Sequence, residues 1–284
     1  MSQRAHALVQ GHSTVASPPV VYQKLMEAIN DVHTGPVGIA RIIDSDPGLT
    51  ARLLRVVNSS FFGFPRRIQT VQHAVRAVGS VQITDLALAT SVISLFDGIP
   101  YEWVDMTSFW RHSLAVGVIS RSIALRRGER NVEEFFVSGL LHDIGRIILL
   151  SHAGQDGIRT MEAHKRNGVP LHEAEHDLLG CDHGQVGEAL LTRWNFPGEY
   201  VEAAAYHHRP HLATNFPTHA ATVHVADIMA HGMAWGTSGQ TNVPPLSTEA
   251  WELVQIEPDG IPPMVRHAHE QLVAAMELVS TPVE

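Results

Sequence analysis

His142 and Asp143 stand side by side inside an almost wholly apolar stretch that runs from Phe135 to Leu150. A carboxylate taken into such surroundings without a partner is costly, or it shifts its pKa until it is neutral. A strong partner is therefore expected, and a divalent metal held jointly by Asp143 and His142 is one good candidate. The chain supplies further donors at His112, His183, His207, His208 and Asp227, which with the first pair make five imidazoles and two carboxylates. Nitrogen and carboxylate donors suit Mn, Fe, Co, Ni or Zn rather than calcium. Seven donors exceed the need of one tetrahedral zinc. They approach what two ions sharing a bridging carboxylate require, with positions left for water. One or two divalent transition ions (Fe, Mn, Ni or Zn) are expected.

Taken singly, most of these residues have an ordinary structural reading. His112 sits on a helical pattern whose other face is apolar, so it could be a hydrogen-bonded histidine between helices. Asp182 before His183 reads as a helix cap, and His207-His208 lie at a helix C-terminus, where cations are favoured. Asp227 is harder to set aside, because its segment, Thr222 to Ala230, is mostly apolar. Order and spacing make the joint case.

The positioning elements read as helices throughout, and alternating strand patterns are scarce. The sequence predicts helices over 21–28, 37–43, from Asp46-Pro47 to Asn58, over 71–78 and from Ser80 onward. A plausible boundary follows at Gly98-Ile99-Pro100. Further helices are predicted over 106–126, 132–150, 156–166, 171–178, 184–194, 199–208 and 218–231. A Gly/Ser/Thr/Pro-rich loop follows at 236–245, then tail helices near 248–254 and 262–279. An all-α fold is expected, with a loose lead-in over 1–18, an N-terminal helical part over 19–98, a metal-binding helical core over 99–235, and a loop with C-terminal helices over 236–284.

The 284 residues suffice for one large domain or two modest ones. A net charge of -9 argues against a broad footprint on nucleic acid. The 19 histidines nearly equal the 20 lysines and arginines, which again points to metal. Cys181 is the only cysteine, so a disulfide framework and a thiolate-rich zinc site are excluded, and a reducing, cytoplasmic setting fits. No uninterrupted apolar run reaches transmembrane length, and no signal peptide is read at the N-terminus.

The order His, His-Asp, then a later Asp, with the string Leu141-His142-Asp143-Ile144-Gly145, resembles the HD superfamily of metal-dependent phosphohydrolases. The first half sharpens the match. Segments Ile42–Leu49, Leu53–Gly63 and Ile68–Gly79 look like the HDOD domain, an HD-related output domain of bacterial signalling proteins. The resemblance covers about residues 19 to 235 and implies an all-α, multi-helix HD core. HDOD members often lack the metal ligands. Here His112, His142, Asp143, His183, His207, His208 and Asp227 follow the ligand order of the related HD-GYP phosphodiesterases, which hydrolyse cyclic di-GMP. Two departures count against that activity. Arg146 replaces the expected lysine, and the residues after His208 are Arg209-Pro210-His211-Leu212, without Gly-Tyr-Pro. Lysine and arginine are not interchangeable as phosphate contacts.

Two functions follow as expectations. One is a signalling module acting through protein partners, with a metal as staple or sensor. Its partner surface would include Arg52, Arg55, Arg66, Arg67 and the loop Phe61-Phe62-Gly63-Phe64, which equally read as a solvated face and core aromatics. The other is a metal-dependent phosphohydrolase acting on a nucleotide or phosphate ester. There Asp143 would serve the metals, and Arg146 would either contact a phosphate bidentately or merely pair with a nearby carboxylate. Direct nucleic-acid binding is disfavoured by the charge.

Overall fold

The computed structural model describes residues 2–11, 20–31, 33–59, 62–96 and 105–276. The expected boundary at Gly98-Ile99-Pro100, Phe61 of the aromatic loop and the end of the last tail helix lie outside these residues. Among the described residues the regular structure is helical, with no β-strand. The chain divides into two compact units. One holds residues 1–16 and 100–268, the other 17–99 and 269–284.

The unit over 17–99 contains α2 (Val20–Asn30), α3 (Pro36–Asp44), α4 (Pro47–Asn58), α5 (Val71–Val78) and α6 (Ser80–Leu95). Local chemistry sets the starts. Asp46 caps α4 by accepting from the Leu49 amide at 3.0 Å, with Pro47 in the first turn. Thr70 caps α5 from the His73 amide at 3.1 Å. Ile43, Leu53, Val57, Val71 and Ile83 are fully buried and form this unit's core. Each such side chain contributes roughly 1.5–3 kcal/mol on leaving water. The Asn58 amide ties the loop before α5 to α4, donating to the Leu54 and Ile68 carbonyls, both at 2.7 Å.

The larger unit begins with α1 (Gln3–Gly11), where a loose lead-in was expected. Ala5 and Val9, one turn apart, are buried, and α1 packs on α11 (His183–Arg193) and on α9 (Ile144–Asn167). α7 (Met106–Arg127) pairs with α8 (Val132–Leu141). The helix expected over 132–150 is broken at His142-Asp143, and α9 then continues to Asn167 through a kink at Gly154. α10 (Leu171–Leu179), α11, α12 (Gly198–Tyr206), α13 (Pro217–Gly232) and α14 (Thr248–Val254) follow, and α15 (Ile261–Ala275) begins in this unit.

The stretch Val132–Asn167 is long and apolar enough to cross a membrane by length and composition once its few polar residues are averaged in. Its most apolar window is 89% buried by the rest of the chain, as in a core helix.

Candidate metal centre

The break between α8 and α9 aims His142 and Asp143 into the centre of the larger unit. Gly145 then lets α9 meet α11 backbone to backbone. A Cβ there would stand 2.1 Å from the His183 carbonyl oxygen and 2.3 Å from the Gly187 nitrogen. That approach brings the first residue of α11, His183, against Asp143. His112 comes from the buried face of α7, His207 and His208 follow the end of α12, and Asp227 lies within α13.

Two clusters of donor atoms result. In the first, Asp227 Oδ1 lies 3.0 Å from His112 Nε2, 3.3 Å from His231 Nε2 and 3.8 Å from His142 Nε2. Asp143 Oδ2 lies 3.2 Å from His142 Nε2. In the second, His183 Nε2 lies 3.0 Å from Asp143 Oδ1, 3.2 Å from His207 Nε2 and 3.0 Å from His208 Nε2. Donors about 2.1 Å from a shared ion stand roughly 3–4 Å apart, so both clusters have suitable spacing. All seven residues expected from the sequence come together, with Asp143 between the clusters.

The test of fit is the fate of the donor atoms. His112 Nε2, His142 Nε2, Asp143 Oδ1 and Asp227 Oδ1 are buried and make no hydrogen bond of sound geometry. Nature rarely leaves four such atoms without a partner; a divalent ion in the first cluster would satisfy His112 Nε2, His142 Nε2 and Asp227 Oδ1, while Asp143 Oδ1 faces the second. The far sides of the rings are already fixed. His142 Nδ1 donates to the Gly139 carbonyl at 2.7 Å and His207 Nδ1 to the Ala204 carbonyl at 2.9 Å, which leaves each Nε2 as the ligating atom. His224 donates to the His207 carbonyl at 2.6 Å and holds that backbone in place.

The electrostatics point the same way. Burial pushes Asp143 up, but Arg146, His142 and His183 outweigh it and hold the carboxyl well below the usual range. Asp227 is likewise held well down, by His231 and His112 against burial. His207 and His208 are pushed far down by burial and by neighbouring imidazoles, so they stay neutral and ready to ligate. His183 goes the other way. Burial and Arg146 lower it, yet Glu175 and Asp143 carry it up to about 9.

Arg146 does not hold the position expected of a phosphate contact. It is 2% exposed. Its Nε donates to Glu175 at 3.2 Å and its Nη1 to Asp143 Oδ2 at 3.1 Å. Nη1 also donates to the Ser238 hydroxyl, and Nη2 lies 2.8 and 3.0 Å from the two ring nitrogens of His183. The alternative reading, pairing with a nearby carboxylate, is the one the structure places.

Three participants escaped the sequence reading. His231 carried a signal, since it follows Asp227 by four residues on the same helix face. Glu175 bonds both the His183 amide, at 3.0 Å, and its Nδ1, at 2.5 Å. It stood eight residues ahead of His183 on an expected helix. Ser238, fully buried in the loop after α13, gave no signal.

The family model for the HDOD domain matches residues 15–210, more than half of the chain. The chain belongs to the HDOD family. The matched span of this HDOD chain ends before Asp227 and His231. A candidate phosphohydrolase from Shewanella amazonensis SB2B has the same fold, with a TM-score of 0.78 at 21% identity over 98% of this chain and 99% of its own. An HDOD domain protein of unknown function from Geobacter sulfurreducens follows at 0.74 and 23%, over 98% and 93%. A candidate signal transduction protein from Marinobacter aquaeolei VT8 gives 0.72 and 18%, over 98% and 65%. At these identities the likeness establishes the fold. An uncharacterized protein of Treponema pallidum (strain Nichols) is 25% identical over 215 residues, which are 74% of this chain. The chain spans about two fifths of the length of that curated relative, the matched part being 41% of it.

Proposed function

We propose that this HDOD chain is a signalling module with a structural metal centre, acting through protein partners. A divalent transition ion held by His112, His142, Asp143 and Asp227 would tie α7, the α8–α9 break and α13 together and neutralise carboxylates that the core cannot otherwise host. The observation that carries the reading is enclosure. His112, His142 and His183 are 0% exposed, Asp143 2% and Asp227 3%. Ions closed off by protein ligands belong to structural sites, whereas catalytic sites keep a position open.

A partner surface is supported in the smaller unit. A cavity of about 750 Å³ lies between α4 and the loop before α5, lined by Arg55, Phe64, Arg67 and Ile68. Phe62 and Phe64 stack in parallel beside it, with centroids 6.0 Å apart. An acidic protein segment is the complementary occupant.

One feature favours a second reading, a metal-dependent phosphohydrolase acting on a nucleotide or phosphate ester. A cavity of about 580 Å³, lined by Asp105, Thr107, Arg111, Thr237 and Asn242, reaches His231 at the edge of the first cluster. The name of the Shewanella protein points the same way. The deciding experiment pairs metal analysis of untagged protein with thermal melting before and after chelation and a screen of phosphate esters. Bound metal that raises the melting temperature, without turnover, supports the structural centre. Turnover that returns with added metal gives the site to the hydrolase reading.

A further inference from the structure

The two donor clusters are equally well spaced, yet they differ in charge. The first meets Arg146 only through the shared carboxylate of Asp143, whose Oδ2 accepts from Nη1 at 3.1 Å. Against the second stands Arg146, with Nη2 3.0 Å from His183 Nε2, one of the atoms that would have to bind an ion. We infer that the Arg146 guanidinium takes the place of a second metal ion, so that the centre holds one tight ion, in the cluster of His112, His142 and Asp227, and not two. This rests on the metal-centre reading above and deepens it.

Charge balance carries the argument. Three buried carboxylates, Asp143, Glu175 and Asp227, meet one buried guanidinium. With His112 and His142 neutral, as metal ligands must be, two negative charges remain when His183 is neutral and one when it keeps the proton that Glu175 and Asp143 favour. One divalent ion brings the total to between zero and plus one. A second would leave at least two positive charges in the interior, which is strongly unfavourable. The nearby buried Asp182 and Glu133 do not change the balance, since each has its own arginine, Arg209 and Arg121.

The guanidinium is also fixed in place. Glu175 on α10, Asp143 ahead of α9 and Ser238 in the loop after α13 hold it from three sides. To admit an ion it would have to break these bonds together. One carboxylate oxygen of Asp143, Oδ2, is shared between this clamp and the first cluster. Asp143 therefore joins a metal to a side-chain cation, where a dinuclear centre would join two metals.

The test uses the full untagged chain, stripped of metal and titrated with Mn²⁺, with ions per chain read by elemental mass spectrometry and affinities by calorimetry. Wild type should hold one tight ion, with any second binding at least about a hundredfold weaker. Arg146→Met should gain a second ion. Should that variant fail to fold, His208→Ala decides, because His208 is half-buried and donates only to the second cluster. One tight ion retained in His208→Ala supports the inference, and a fall from two ions to one overturns it. Two tight ions in wild type would overturn the guanidinium's role while leaving the metal centre standing. No bound ion in wild type would remove the centre itself.

Discussion

Gly145→Ala is the sharpest perturbation available, because it adds one carbon where two backbones already touch. The new Cβ would lie 2.1 Å from the His183 carbonyl and 2.3 Å from the Gly187 nitrogen, whereas real Cβ contacts stay beyond about 3.0 Å. α9 and α11 must part by close to 0.9 Å at that point, and neither obstacle is a side chain that can swing aside. Overpacking of this kind costs about 1–3 kcal/mol, and a clash with backbone belongs at the upper end. At ~2–4 °C per kcal/mol for a chain of this size, metal-free Gly145→Ala should melt roughly 6–12 °C below wild type. The displacement also exceeds the ~0.2 Å tolerance of a metal–ligand distance, and Asp143 lies only two residues away. Metal retained after gel filtration should therefore fall with the melting temperature. The assays are differential scanning fluorimetry with and without chelator and metal content per chain. A variant that melts within about 2 °C of wild type and keeps its metal would refute the argument that this glycine sets the helix approach.

Other expectations follow from the same geometry. Asp227→Asn keeps the shape but removes a carboxylate that His231 and His112 hold ionised, so it should abolish the metal-dependent rise in melting temperature and also lower the melting temperature of the apo protein. A metal-dependent rise that survives the substitution would mean that Asp227 serves the fold alone. His172, stacked on His208 at 4.1 Å, is pushed down to about 4, first by burial and then by His183. Its unfolded value is higher, near the ordinary 6.5, so its contribution is present above that pH and lost as pH falls toward 4. His172→Phe should flatten this part of the acid melting profile, and an unchanged profile would remove His172 as a cause. Asp46→Ala should cost about 1 kcal/mol by uncapping α4, read as a lower denaturation midpoint of the smaller unit.

Much of the centre was legible because helices write their buried positions periodically. His112 and Asp227 stand out as polar residues on apolar helices, and the Asp46-Pro47 and Gly79 boundaries follow from local backbone chemistry. The break at His142-Asp143 was not legible, since the apolar pattern continues through it and only tertiary contact selects the turn. The interruption at Gly154 was legible, because a glycine takes the positive φ there and the pattern restarts after it. Arg146 shows a different limit. A sequence reveals that a long cation follows the motif, but not whether it turns outward to a ligand or inward to Glu175. Ser238 was hidden because a serine in a polar loop looks the same whether it faces water or seals a core.

The helix α1 has a consequence for how the chain is made. It belongs with α11, yet 171 residues lie between Gly11 and His183. During synthesis at ~5–20 residues per second, α1 waits on the order of 10–35 s for its partner, while residues 17–99 of the smaller unit emerge in between. Helices α2 to α6 can pack on one another in that interval. The larger unit cannot close until its second half arrives, because its first helix has nothing to dock on. Expression strategy should respect this order. A tag or fusion placed ahead of Ser2 burdens the helix that seats on α11, whose first residue faces Asp143. Poor metal content in an N-terminally tagged preparation would then report the tag and not the protein.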